Sequence, residues 1–297
     1  MEMILACVLS FVVTAIVGHF LVPFLRRLKA GQSIREDGPT WHMSKQGTPT
    51  MGGLMFIAGT GVATLALGWN FMLSGSFSHL YVYLFALVFG AIGYVDDYRK
   101  VRMHQNLGLT ARQKFLLQLV AAVAFLCLMR YEGLLTPRLY IPFFNVHWEL
   151  PWLVYLVFAA FVIVGCVNAV NLTDGVDGLA TGVTFVVMVF FTVTGVLWSE
   201  HGMQALFPAA MAGGLMAFFL YNHHPAKVFM GDTGSLFLGG AVAALGFTFG
   251  TPLILIPVGV VYIAETLSDI IQVAYFKATH GKRFFKMAPL HHHLELS

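Results

Sequence analysis

Long apolar runs follow one another along the whole chain, at roughly 4–25, 51–69, 80–95, 112–129, 152–170, 179–198, 204–221, 235–249 and 253–276. A helix needs about 20 mostly apolar residues to cross the hydrocarbon of a bilayer, and a barrel strand only about 9–11. The runs are too long for barrel strands, and backbone in lipid must satisfy its own hydrogen bonds. The expected fold is therefore all-α, a polytopic integral membrane protein of about nine transmembrane helices, with the eighth run the weakest. Composition agrees, since 10% of residues are charged against about 25% in soluble domains. The first run follows Glu2 and exceeds the about 7–15 residues of a signal h-region, so it is expected to be retained. Cys7, Cys127 and Cys166 all lie inside apolar runs, which argues against a disulfide framework.

Charge placement orients the spans. Of the 17 Lys and Arg residues, only Arg130 and Arg138 fall on one side of the alternating trace. The others lie in the stretches 26–45, 97–114, 222–234 and 277–297. Basic loops mark the cytoplasmic side, so the N-terminus is expected outside and these stretches inside. This topology accounts for the basic residues and leaves no case for a nucleic-acid partner. The outer stretch 130–151, with Gly133, Pro137, Pro142 and Pro151, has room for a short hairpin.

The same alternation collects Asp96, Asp97, Asp174, Asp177 and Asp232 on the inner face. Carboxylates are costly beside lipid and mark function when they gather there. Magnesium-assisted phosphate chemistry is the reaction class that most needs such hard oxygen ligands. Asp96-Asp97 ends the third run, where two acids oppose a helix dipole, so something positive should compensate them, either Arg99 and Lys100 or a metal. Asn168, Asn171, Asp174 and Asp177 recur at spacings of three, with Gly175 and Gly178 allowing close backbone approach to a ligand. Phe229-Met-Gly-Asp232-Thr-Gly-Ser235 opens the eighth run as a phosphate-binding helix start or, alternatively, a plain N-cap. His291-His292-His293 suits hydrogen bonding to phosphate or a sugar-nucleotide, with a tag remnant or a zinc site as competing readings. Lys45, Thr48 and Thr50 open the second run, and Arg112 and Lys114 the fourth; Arg112 reads as ordinary positive-inside bias. Glu265 and Asp269, one helical turn apart in the ninth run, should face a polar interior, as an ion path or the rim of the inner site.

Taken together, GTPTMGG, VDDYRK, NAVNLTDGVDGLA, FMGDTGS and MAPLHHH resemble the phospho-N-acetylmuramoyl-pentapeptide-transferase family, a branch of the polyprenyl-phosphate N-acetylhexosamine-1-phosphate transferases, in consistent order over 1–297. The resemblance implies transfer of phospho-MurNAc-pentapeptide from UDP-MurNAc-pentapeptide to undecaprenyl phosphate, giving lipid I and UMP with Mg²⁺. It implies the inner (plasma) membrane of a bacterium, a site facing the cytoplasm, contact with the lipid bilayer, and a homodimer as one open assembly. By motif, Asp96, Asp97 and Asp232 take the catalytic positions, Asp96 toward the lipid phosphate, and Asp232 with Asn171 toward the metal. Asn168, Asn171, Asp174, Gly175, Val176 and Asp177 take nucleotide-side positions, with Gly175 and Val176 beside the uracil pocket. Lys45, Thr50, Lys114, Asn222, Phe229, Gln272 and His291 to His293 take other substrate-binding positions along the cleft. The family carries a tenth span after the histidines, so residues 1–297 are expected to form one transferase domain without that helix.

Mg²⁺ usually takes only one or two protein carboxylates, so five aspartates exceed its needs and some must position or accept protons. A phosphomonoester has its second pKa near 6, as in phosphoserine, so the acceptor is largely dianionic at neutral pH. Asp96 is therefore expected to act as much through position and charge as through proton removal. A sister enzyme moving GlcNAc-1-phosphate is the near alternative. An ion-coupled transporter is the distant one, disfavoured because neither paired broken helices nor repeats are evident.

Overall fold

The computed structural model describes residues 1–28, 47–103, 108–141, 144–198 and 202–297. Lys45 lies outside the described residues. The helices are α1 (Glu2–Arg27), α2 (Gly53–Leu67), α3 (Trp69–Leu73), α4 (Ser78–Met103), α5 (Ala111–Tyr131), α6 (Trp152–Thr173), α7 (Leu179–Leu197) and α8 (Leu206–Asn222). They continue with α9 (Gly231–Thr248), α10 (Leu255–Val258), α11 (Val260–Ala278) and α12 (Leu290–Glu295). By length and composition α1, α4, α5, α6 and α7 can cross a membrane, and a bent pair ending in α11 makes a sixth candidate. The protein is thus a mostly helical membrane protein.

One hairpin departs from the all-α expectation. Strands β1 (Arg138–Ile141) and β2 (Val146–Glu149) pair antiparallel, with Arg138 opposite Glu149. They fall in the stretch where the sequence left room for a hairpin. The Arg138 guanidinium donates to Glu149 at 2.6 Å across this exposed pair. Nearby, Arg130 lies 4.1 Å from the centre of the Trp152 ring, so an aromatic face meets the cation that ends α5.

A second departure is the ninth run, which reads as one span but is broken. The segments Pro252–Val258 and Val260–Ala278 meet at 79°. Pro257 lacks the N–H that would continue the ladder, and Gly259 supplies the bend just after it. A broken helix is therefore present after all, although only one such pair occurs among the described residues.

The centre of the bundle is α9. Every residue from Thr233 to Phe247 is buried. A helix that is buried all round needs neighbours on every side, and α4, α6, α7 and α2 surround it. Small residues let them approach, as in other membrane interfaces. A methyl added at Gly239 would lie 2.6 Å from the Val167 Cα on α6, and one at Gly240 would lie 3.0 Å from the Phe89 ring on α4. The glycines that weaken the eighth run as a hydropathy signal are thus the residues that let it occupy the core. Phe56, Phe89 and Phe237 fill the remaining space and are fully buried.

Gly239→Val should overpack this contact and destabilise the fold by about 1–3 kcal/mol. Thermal unfolding in detergent would read it as a lowered midpoint. Gly182→Ala, where no atom lies within 4 Å of the added methyl, should leave the midpoint unchanged or raise it.

Candidate active site at the junction of α4 and α9

The third apolar run does not end at its acids: α4 continues to Met103, so Asp96 and Asp97 sit inside the helix. Its continuation places Lys100 one turn beyond Asp96, and this lysine supplies the compensating cation. Gly93 lets α4 reach the first turn of α9, because a methyl there would collide with the Asp232 carbonyl. The two helices therefore cross where three carboxylates meet. Asp96, Asp97 and Asp232 each offer an oxygen within 4.8 Å of the others.

The three acids have different partners. Asp97 accepts from the backbone N–H of Asp232 at 3.2 Å and of Thr233 at 2.8 Å, and from the Thr233 hydroxyl at 2.7 Å. Its carboxylate thereby caps the start of α9, where free N–H groups and the helix dipole favour negative charge. Asp96 Oδ1 accepts from the Leu109 N–H at 2.6 Å, and its other oxygen pairs with the Lys100 ammonium. Asp232 Oδ2 receives Lys100 Nζ and Lys114 Nζ, each at 3.0 Å. Asp232 Oδ1 accepts from Asn171 Nδ2 at 2.9 Å. Both Asp96 and Asp97 are only 2–3% exposed.

Flanking motifs are tied to this centre by hydrogen bonds. Asn171 Nδ2 also donates to Ser235 Oγ at 2.7 Å. One turn earlier, Asn168 Nδ2 donates to Gln118 Oε1 at 2.7 Å and to the Val164 carbonyl at 2.8 Å. The Phe229 N–H donates to Pro49 O at 2.8 Å, and Gly52 N–H returns a bond to Phe229 O at 2.8 Å. That backbone pairing brings the segment opening α2 onto the segment opening α9. It leaves Thr50 beside Gly231, whose φ of 70° suits glycine and whose added methyl would crowd the Thr50 hydroxyl and the Asp97 carboxylate.

The 174–178 turn lies next to the centre. Burial first, then the charges of Asp232, Asp97 and Asp177, push the Asp174 carboxyl well above the usual carboxylate range. Asp177 is directed at the neighbouring loop, meeting His224 Nδ1 at 3.0 Å and the Ala226 N–H at 3.1 Å. His291 packs over this turn, since a methyl on Gly175 would collide with its ring. Glu265 Oε2 holds His291 at Nδ1, 2.9 Å away, and at its backbone N–H, 3.2 Å away. Burial lowers the pKa of this ring below its ordinary value. Val176 stays on the same turn, partly exposed.

Other expected site residues stand outside the acidic centre. Asn222 is buried, accepting from Thr181 Oγ1 at 2.7 Å and donating to Val228 O at 3.1 Å. Gln272 Oε1 accepts from the N–H groups of Phe284 and Phe285 at 3.1 and 2.9 Å. His292 meets Glu295 at 2.9 Å, and His293 Nδ1 accepts from the Lys286 N–H at 3.1 Å. Of the network residues, Lys100 is one of the bases expected to compensate the acidic pair, and Thr233 and Ser235 belong to the motif that opens the eighth run. Gln118 was not singled out from the sequence, since nothing in its spacing marks it.

Chemically, the arrangement presents buried hard oxygens that could hold a metal, with two ammonium groups beside them. Such a set suits phosphate charge. The glycosyl transferase family 4 model matches residues 79–250, which contain the whole acidic centre, and the phospho-N-acetylmuramoyl-pentapeptide-transferase signature 1 matches residues 45–57. The chain is 48% identical over 296 residues to the phospho-N-acetylmuramoyl-pentapeptide-transferase of Heliobacterium modesticaldum, covering 99% of this chain and 89% of that protein. The enzyme of the same name from Halalkalibacterium halodurans is 47% identical over 296 residues, with 99% and 89% covered. That from Clostridium acetobutylicum is 45% identical over 294 residues, with 98% and 90% covered.

If Asp97 is the cap that joins α4 to α9, Asp97→Ala should destabilise the metal-free protein by about 1–3 kcal/mol, because it strands buried donors. Thr233→Val removes only the hydroxyl and should cost about 1 kcal/mol. Thermal unfolding in the presence of a chelator checks the order of the two losses.

Proposed function

Since the chain belongs to the phospho-N-acetylmuramoyl-pentapeptide-transferase family, we propose that it transfers phospho-MurNAc-pentapeptide from UDP-MurNAc-pentapeptide to undecaprenyl phosphate, forming lipid I and UMP. The observation that carries this reading is the meeting of Asp96, Asp97 and Asp232 with Lys100 and Lys114 at the edge of an apolar bundle. Residues 1–297 act as one transferase domain of nine spans in the inner (plasma) membrane of a bacterium. The N-terminus lies outside and the site faces the cytoplasm, as the placement of basic residues supports. A homodimer is compatible with this reading.

The donor chemistry fits Mg²⁺: hard carboxylate oxygens with an amide nearby, and no thiolate in the cluster. Asp232 and Asn171 would hold the ion together with Asp96. Bound there, Mg²⁺ would offset the charge of the pyrophosphate. The chain's own residues do the rest. Lys114 and Lys100 present positive charge to the phosphates, while Asp97 keeps the start of α9 in register. Asn168, Asp174, Gly175, Val176, Asp177 and Phe229 shape the nucleotide side. Lys45, Thr50, Asn222, Gln272 and His291 to His293 line or brace the remaining cleft.

Phosphoryl transfer depends chiefly on positioning and charge neutralisation. The Leu109 N–H and Lys100 fix the position of the Asp96 carboxyl, which suits a group that orients the acceptor phosphate.

Release of UMP from UDP-MurNAc-pentapeptide, but not from UDP-GlcNAc, is the expected result with purified protein and undecaprenyl phosphate. The opposite preference would assign the sister reaction. Asp96→Asn should lower turnover by about 100-fold or more from neutral to alkaline pH. Recovery to near wild-type rates at alkaline pH would show base catalysis alone and sink the positional role.

A further inference from the structure

The ion pairs at the centre of the site carry one step more. Asp97 has its oxygens engaged by the N–H groups and hydroxyl that open α9, so its lone pairs are already directed. The seat left for a cation lies between Asp96 and Asp232, and the Lys100 ammonium already sits there. It is paired with Asp96 and is 3.0 Å from Asp232 Oδ2. A magnesium ion needs its oxygen ligands at about 2.0–2.1 Å, whereas an ammonium hydrogen-bonds at about 2.7–2.9 Å. A dication and the ammonium on the same oxygens would lie too close for two positive charges to share the seat.

We propose that Lys100 is the resident counter-ion of this site, occupying the place of the divalent cation between Asp96 and Asp232 and leaving it for the cleft when the cation enters. The proposal rests on the magnesium reading of the same site. Lys114 touches one of these acids, Asp232 Oδ2 at 3.0 Å, whereas Lys100 bridges both, so Lys100 is the one to move. Its side chain is 35% exposed against 18% for Lys114, so it has the more open path. Lys114 is also held by Asn171 Oδ1 at 3.5 Å. The released ammonium stays on α4, one turn from Asp96, where it can meet a phosphate oxygen of the substrate. The lysine thus keeps Asp96 and Asp232 from repelling one another before the cation arrives, and supplies charge to the substrate afterwards.

The test measures cation binding without substrate, so it does not depend on which sugar-nucleotide the enzyme uses. Mn²⁺ binding to purified protein, followed by electron paramagnetic resonance, should be about tenfold tighter for Lys100→Met than for wild type, a change of about 1.4 kcal/mol. Lys114→Met should tighten binding less. Equal or weaker Mn²⁺ binding by a folded Lys100→Met would overturn the proposal. A second measurement needs no variant: acylation of wild-type Lys100 by an amine-reactive ester, quantified by mass spectrometry, should speed up several-fold when Mg²⁺ is added. Unchanged or slower labelling would overturn it equally. A wild type that shows the Mn²⁺ and labelling effects but releases no UMP would instead count against the transferase reading alone.

Discussion

The structure depends on one helix start. Asp97, inside α4, accepts the first free N–H groups of α9, and this bond sets the centre of the bundle and the centre of the site at once. Because α9 is buried from Thr233 to Phe247, its N-terminal donors have no bulk water to turn to at the Asp97 side. A carboxylate from another helix fills that need and benefits from the dipole it meets. The packing that buries α9, through Gly93, Gly234 and Gly239, then holds Asp232 against the acids of α4.

This arrangement divides five acids that look alike in the chain. Asp97 is structural in its contacts, Asp96 is paired with a lysine, and Asp232 gathers two lysines and an amide. Asp177 faces the 224–226 loop, and Asp174 sits on the adjoining turn beside the other acids. Like charges so close together are tolerable only with cations between them, and Lys100 and Lys114 are placed to serve. A site of this kind is prepared for an anion that brings its own counter-charge, as a metal-bound pyrophosphate does.

The C-terminal histidines reach the same region by a different route. Glu265, in the broken ninth run, fixes His291 over Gly175, and Gln272 fixes the preceding backbone at Phe284 and Phe285. The rim reading of Glu265 thus finds a structural counterpart, through a residue distant in sequence. The break at Gly259 changes the direction of α11 between the core of the bundle and this loop.

Much of this was legible from residues alone. Apolar runs announce helices because backbone in lipid must bond to itself, and alternation with basic loops assigns the acids to one face. The motif strings identified the family, and hard oxygens beside bases announced phosphate chemistry. Other features were hidden because they depend on distance between residues far apart in the chain. No periodicity shows that α4 runs on to Met103, that Asn222 bonds Thr181, or that the weakest run lies at the core. Hydropathy counts the glycines of α9 against burial, although close packing requires them. Sequence by itself determined the class of the fold, the family and the chemistry its side chains can perform. Tertiary structure alone decided which acid caps a helix, which meets the lysines and which cation sits between them, because those roles depend on where hydrogen-bond donors lie in space.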